Sequence, residues 1–178
     1  LNTFPAEAGI ASSASGISAL TTAFYASLKN INTAQKLGSE HLKVIEDFSR
    51  MGSGSACRSL KGGLVKWRRG EDSRSQSYQN VFKQDHWALS DFVAIVSEQK
   101  KPVSSSKAHL DAWTSPLFKP RLAGLPERME YLELALARKD IKSLGTIIEN
   151  EALEMHSVMM TTESPVNFLS EKSIAVID

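Results

Sequence analysis

Residues 9–28 read GIASSASGISALTTAFYASL, and they predict how the first part of the chain folds. Residues 9–16 are mostly small, a composition typical of a tight loop in which glycine supplies backbone freedom. Apolar residues then follow at helical spacing, with alanines between them: Ile17, Leu20, Phe24 and Leu28. The stretch therefore predicts a serine-rich turn that opens a helix able to approach its neighbours closely.

Further along, helical and β-rich patterns are mixed. The predicted helices run from about Ser39 to Gly52, around 107–113, from Pro126 onward and from a cap at Asp140 onward. Apolar runs predict a strand at 64–67 and a buried strand at 92–96, with an exposed polar loop at 68–79. This mixture lacks regular alternation, which favours an α+β fold over a doubly wound sheet. The change from polar loop to apolar strand predicts a domain boundary near residue 84, dividing the chain into 1–83 and 84–178.

Composition excludes several classes of function. The 178 residues carry a formal net charge of +1, so no overall field favours nucleic acid or an anionic membrane. No run approaches the roughly 20 apolar residues that span a bilayer, and residues 1–5 do not resemble a secretory signal. The single cysteine, Cys57, cannot form an internal disulfide and suits a reducing, cytoplasmic compartment. The four histidines lack ligand spacing, so no metal cluster is expected.

Three short turns at 9–16, 53–58 and 104–107 share small residues, serine hydroxyls and a helix that follows. Backbone N–H groups are unpaired at a helix N-terminus, where the helix dipole is positive, so such turns can hold phosphate groups. Serine-rich turns before helices are also ordinary helix caps. None is a Walker A loop, and the pattern alone leaves both interpretations open.

The wording of these segments is more specific than their composition. NTFP at 2–5, GIASSASG at 9–16 and GSGSACRS at 52–59 closely resemble the signature stretches of mevalonate diphosphate decarboxylases, and they keep that family's order. The resemblance continues through Gly62, Gly63 and Trp67 to Met155 and His156. It implies the GHMP kinase two-domain α+β fold, partly covered: an N-terminal domain like ribosomal protein S5 domain 2 and a ferredoxin-like C-terminal domain.

The resemblance also implies a reaction. ATP, with Mg²⁺, would phosphorylate the 3-hydroxyl of mevalonate 5-diphosphate, and loss of phosphate and carbon dioxide would give isopentenyl diphosphate. Family members are commonly homodimers. Two alternatives remain: a related kinase that phosphorylates mevalonate or its monophosphate, and a relative that binds ligand without catalysis.

Site residues are carried over by their positions in these motifs. Gly9, Ala11, Ser12 and Ser13 match the loop that cradles the ATP phosphates, and Ser13 is the candidate for orienting the transferred phosphoryl group.

The substrate would be held by residues of the later motifs. Ser53 and Ser55 match serines at the substrate diphosphate or its surroundings, and Ser105 matches another substrate-contacting serine. Arg58 matches the arginine that holds the substrate carboxylate. A guanidinium suits that role because its planar fork binds carboxylate in two places and keeps its charge. Arg58 and Ser13 are therefore the expected catalytic residues.

Some positions depart from the family pattern. Glu7 brings a carboxylate close to the phosphate loop, so it is expected to point away or pair with a base. Lys61 stands where an aromatic residue is common, which suggests an exposed position, and Lys107 is either a diphosphate ligand or a solvated lysine. The family's catalytic aspartate lies in a DAGPN-like motif that these residues lack, and Asp178 lies in AVID instead. The sequence therefore resembles an internal segment that would not catalyse alone.

Overall fold

The computed structural model describes residues 11–31, 37–72, 75–96 and 105–177. The chain divides into two compact units, Leu1–Phe92 and Val93–Asp178, called unit 1 and unit 2 below. Helices and a small sheet are mixed within the chain, which confirms the α+β class. The domain boundary near residue 84 stays a prediction.

The described residues of unit 1 form two helices, a 3₁₀ helix and a β-hairpin. In chain order these are α1 (Ser12–Leu28), α2 (Ser39–Gly52), the 3₁₀ helix (Ala56–Leu60), β1 (Leu64–Arg68) and β2 (Ser77–Phe82). The strands pair antiparallel, with Leu64 opposite Phe82 and Arg68 opposite Ser77. Gly63 lies just before β1, at the open end of the hairpin, with φ 78°. A Cβ there would lie 2.3 Å from the Phe82 carbonyl oxygen, so this close approach of the two strands requires a glycine.

The core of unit 1 lies where α1 meets α2 and the 3₁₀ helix. The buried side chains of α1 are small: Ala14, Ser18 and Ala26. They confirm the prediction of a helix that approaches its neighbours closely. Leu20, Phe24 and Leu28 are each at least 64% exposed instead of forming this contact. Periodicity identifies an apolar face but does not say which of two faces meets the neighbouring helix.

Unit 2 is helical in its described residues. Its elements are α3 (Ser105–Leu110), a 3₁₀ helix (Ala112–Thr114), α4 (Phe118–Arg138), α5 (Ile141–Met160) and α6 (Glu171–Ile177). The Asp140 carboxylate accepts hydrogen bonds from the backbone N–H groups of Lys142 and Ser143, which confirms the predicted cap of α5. The Glu151 carboxylate on α5 pairs with the guanidinium groups of Arg121 and Arg128 on α4. These ion pairs join α4 to α5.

Three expectations about secondary structure were wrong. Residues 92–96 form no strand and Phe92 is 89% exposed, because a strand requires a paired neighbour and the described residues provide none here. The loop expected at 68–79 ends in strand β2.

The helix start expected at Pro126 was also wrong, whereas α2 runs from Ser39 to Gly52 as expected. Pro126 lies inside α4, which begins at Phe118. Ion pairs from Arg121 and Arg128, one on each side of the proline, support the helix where a backbone hydrogen bond is lost. Ser39 is the first residue of α2 and Gly38 is its cap, with no side-chain hydrogen bond.

Candidate functional site

The start of α1 has the backbone expected of an anion-binding turn. Ala11 precedes the helix in the left-handed conformation, with φ 53°, and the N–H of Ala14 donates to its carbonyl at 2.8 Å. Alanine has no side-chain acceptor, so Ala11 makes no side-chain cap. The Ser13 side chain is exposed beside this first turn. The positive end of the α1 dipole and this hydroxyl together fit a phosphate group. Gly9 lies outside the described residues.

The second motif lies at the end of α2, which runs up against α1. A Cβ built on Gly52 would lie 2.7 Å from Cγ2 of Ile17, so glycine permits this close approach. Ser53 follows in extended conformation, and its N–H donates to the Ser49 carbonyl at 2.9 Å. The chain then turns into the 3₁₀ helix, because the N–H of Ala56 donates to the Ser53 carbonyl at 3.0 Å.

Two of the predicted site residues meet directly. Oγ of Ser13 lies 3.3 Å from Oγ of Ser53, although the two serines are 40 positions apart. One was assigned to the ATP phosphates and the other to the substrate. Their contact brings the two motifs to one place on unit 1.

Arg58 lies on the 3₁₀ helix that follows Ser53. Its N–H donates to the Ser55 carbonyl at 3.1 Å, and its side chain is exposed. Within the described residues no carboxylate pairs with the Arg58 guanidinium, which always carries a positive charge. In the sequence this charge follows Ser53 and Ser55 by five and three positions. Ser55 is half-buried at the start of the same turn.

Cys57 has no chemical role in this arrangement. The residue is fully buried, and its Sγ contacts the Gly54 carbonyl at 3.5 Å. Burial raises the pKa of the thiol, and the neighbouring Arg58 charge only partly opposes that effect. The thiol stays protonated at neutral pH and packs as a small apolar group.

The third motif belongs to unit 2. Ser105 begins α3, but its side chain lies outside what the structure describes, and so does Ser104. Lys107 is exposed on that helix. Of the three helix starts, that of α1 is favoured as the phosphate site by its dipole. The helix α3 spans only six residues and the 3₁₀ helix of unit 1 only five, and a short helix has a weak dipole.

Lys61 contradicts the expectation of an exposed residue. Its ammonium lies 2.7 Å from Oε1 of the buried Glu46, and it donates to the Tyr78 carbonyl at 2.7 Å. The carboxylate partner of Lys61 lies on α2, so no local pattern around Lys61 in the sequence shows the pair.

Two kinds of site are missing from the described part of the chain. No three histidine, cysteine or acidic residues there are grouped so as to hold a metal ion. Within the same ranges no helix is both long and apolar enough to cross a lipid bilayer.

Comparison with known proteins gives two family matches that follow one another along the chain. Residues 1–79 match the diphosphomevalonate decarboxylase-like N-terminal domain. Residues 92–178 match the mevalonate 5-diphosphate decarboxylase C-terminal domain.

Individual relatives give the same result. The diphosphomevalonate decarboxylase of Ganoderma lucidum is 33% identical over 99% of this chain and 43% of its own length. The structure of mevalonate diphosphate decarboxylase from Trypanosoma brucei is similar with a TM-score of 0.81 and 31% identity, covering 99% of this chain and 45% of that one. MDDEF in complex with MVAPP, AMPPCP and magnesium has a TM-score of 0.78 and 27% identity, covering 97% and 51%.

These likenesses confirm that the chain adopts part of the GHMP kinase fold. The chain spans about half the length of the relatives it matches.

Proposed function

This chain belongs to the mevalonate diphosphate decarboxylase family, and from that premise we propose that its full-length protein uses ATP to decarboxylate mevalonate 5-diphosphate. The products would be isopentenyl diphosphate, ADP, phosphate and carbon dioxide. The observation that carries the proposal is the 3.3 Å contact between the hydroxyl groups of Ser13 and Ser53. A phosphoryl transfer requires its donor and acceptor side by side, and this contact joins the segment proposed for each.

The start of α1 would hold the nucleotide. Gly9, Ala11, Ser12 and Ser13 form the proposed phosphate loop, with the Ser13 hydroxyl beside the transferred phosphoryl group. The left-handed Ala11, which makes no side-chain cap, and the exposed Ser13 side chain support this role, because a helix start with a nearby hydroxyl favours an anion. Mg²⁺, when bound, would neutralise phosphate charge. The described residues lack a carboxylate cluster, so Mg²⁺ would be held mainly by phosphate oxygens and hydroxyl groups.

The second motif would hold the substrate. Ser53 and Ser55 would donate to the substrate diphosphate or its surroundings. The role of Ser105 as a further substrate contact rests on the resemblance of its motif alone. The Arg58 guanidinium would hold the substrate carboxylate and orient the bond that breaks.

The reaction then needs positioning more than covalent chemistry. The 3-hydroxyl oxygen takes the γ-phosphoryl group, and ADP leaves. The bond between C3 and that oxygen breaks and releases phosphate. The electron pair of the bond to the carboxylate forms the new double bond as carbon dioxide leaves. A cationic centre develops at C3, so exclusion of water matters. A homodimeric state and a cytoplasmic location complete the proposal, and both rest on the resemblance to the family.

The test uses the full-length protein with ATP and mevalonate 5-diphosphate labelled at the carboxylate. We expect one labelled carbon dioxide molecule to be released for each ADP that is formed. Arg58→Gln should lower turnover by about 100-fold without changing the melting temperature, because the charge that orients the carboxylate is lost. The matched control is Arg69→Gln, which changes another exposed arginine and should retain turnover.

Two results would count against the proposal. ADP formation without carbon dioxide would show a kinase and reject the decarboxylase. Unchanged turnover in Arg58→Gln would remove Arg58 from the site.

A further inference from the structure

Lys61 follows the 3₁₀ helix that carries Arg58, and its ammonium joins that helix to two other elements. Nζ lies 2.7 Å from Oε1 of Glu46 on α2. It also donates a 2.7 Å hydrogen bond to the backbone carbonyl of Tyr78 on β2. The contact with Glu46 is ionic, not a directed hydrogen bond, and Oε1 has no hydrogen-bond donor among the described residues. One side chain thus ties three elements of unit 1 together.

The Glu46–Lys61 pair lies inside unit 1. The Glu46 side chain is 3% exposed and the Lys61 side chain 25%. A buried carboxylate raises the free energy of the folded state unless a cation lies close to it. Loss of the Lys61 ammonium would therefore destabilise the fold around Glu46. A surface lysine would need no such partner, and a lysine meant for an anionic substrate would not be neutralised by a buried carboxylate. The pair therefore has a role within the fold.

A second set of contacts holds the strand to which Lys61 bonds. The Tyr78 hydroxyl donates to Oδ1 of Asp47 at 2.9 Å. Nζ of Lys43 lies 2.7 Å from the same carboxylate and 4.9 Å from the centre of the Tyr78 ring. Lys43, Glu46 and Asp47 share one face of α2, because they are three and four positions apart. That face provides a fixed support for β2 and for Lys61.

The Tyr78 hydroxyl remains a donor over the whole physiological pH range. Burial raises its pKa, and the hydrogen bond to Asp47 raises it further. The hydrogen bond from Tyr78 to Asp47 therefore persists over this pH range.

We infer that the Glu46–Lys61 pair positions Arg58 for the substrate carboxylate, an inference that rests on the proposed function. The 3₁₀ helix is anchored at its start by Ala56 and Cys57, which are fully buried. Lys61 anchors its other end. Arg58 lies between the two anchors with its side chain exposed. A five-residue 3₁₀ helix has few hydrogen bonds of its own, so loss of one anchor frees the segment that carries the guanidinium. Lys61 and Glu46 are thus positioning residues.

The experiment compares variants of the full-length protein by kinetics and by hydrogen exchange of backbone amides. Lys61→Met should lower turnover, as Arg58→Gln does but less, and should raise the KM for mevalonate 5-diphosphate on the order of tenfold, while the KM for ATP stays within about twofold. Amide exchange should become faster at residues 56–61. Lys61→Arg keeps the charge and should restore both measurements. Glu46→Gln combined with Lys61→Met should be no worse than Lys61→Met, because the two side chains act as one unit.

The matched control is Lys83→Met, which removes an exposed lysine just after β2 and should behave as the wild type. Unchanged amide exchange at 56–61 in Lys61→Met would overturn the inference, whatever the activity. An equal rise of both KM values, with faster exchange throughout unit 1, would show a general role in stability and would also overturn it. Absence of carbon dioxide release by the wild-type protein would reject the proposed function. Amide exchange at residues 56–61 would still test whether Lys61 holds the 3₁₀ helix in place.

Discussion

Gly52 ends α2 against α1, and its replacement by alanine tests whether this close approach places the two site serines. A Cβ on Gly52 lies 2.7 Å from Cγ2 of Ile17, whereas non-bonded carbon atoms are comfortable at about 3.5–4.0 Å. Ile17 is β-branched and rotates little within a helix, so we expect the two helices, more than this side chain, to yield by about 0.8 Å to accept the methyl group. The Ser13 and Ser53 hydroxyl groups, 3.3 Å apart, would move beyond hydrogen-bond distance.

The consequences for stability and for activity differ in size. Overpacking of this kind costs about 1–3 kcal/mol, and alanine recovers up to about 1 kcal/mol because it favours helix more than glycine does. Gly52→Ala should therefore lose about 0–2 kcal/mol of unfolding free energy. A displacement that approaches 1 Å in a site of this kind lowers turnover by up to about 100-fold. Urea unfolding and steady-state release of carbon dioxide by the full-length protein measure the two effects.

Two further variants separate the cause from other effects of the added methyl group. Gly145→Ala makes the same change on α5, where nothing lies within 4 Å of the new Cβ, and it should retain turnover. Ile17→Ala combined with Gly52→Ala removes the clashing Cγ2 atom and should recover part of the lost activity. Full wild-type turnover in Gly52→Ala would refute the argument that this contact aligns the site.

Two predictions concern unit 2. Hydrogen bonds from the Ser143 hydroxyl and from backbone N–H groups hold the pKa of Asp140 below its ordinary value of 3.8. Its stabilising effect is therefore complete above about pH 4 and is lost as the pH falls through the lower folded-state pKa. The difference in melting temperature between wild type and Asp140→Ala should shrink below that pH, and a constant difference would contradict this. Ser115→Ala should lower the free energy of unfolding in urea by about 1–2 kcal/mol. The buried Ser115 hydroxyl accepts a hydrogen bond from the Leu117 N–H and contacts the Thr161 hydroxyl at 2.6 Å. An unchanged urea midpoint would show that water replaces these bonds.

Much of the local structure could be predicted from the sequence. The serine-rich start of α1 and the cap at Asp140 were found because they depend on a few neighbouring residues and their backbone preferences. The strand at 92–96 was wrong for the opposite reason. Its residues suit a strand, but pairing depends on a partner that the pattern of one segment does not reveal.

The candidate site was predicted in the same uneven way. Motif wording predicted Ser13, Ser53 and Arg58 as candidate site residues, but no pattern in the sequence showed that Ser13 and Ser53 lie in contact. Lys61 was expected at the surface because it stands where relatives commonly have an aromatic residue. Its carboxylate partner, Glu46, lies 15 positions earlier, on α2.

The sequence by itself determined the family, the α+β class, the principal helices and the residue types available for phosphate and carboxylate binding. These follow from local sterics, hydrophobic periodicity and motif order. The tertiary structure alone decided that the Ser13 hydroxyl meets that of Ser53, and that the Lys61 ammonium lies against the buried Glu46 carboxylate. Such pairs form between distant residues, and their distances depend on how closely α1 and α2 pack, which small residues such as Gly52 permit.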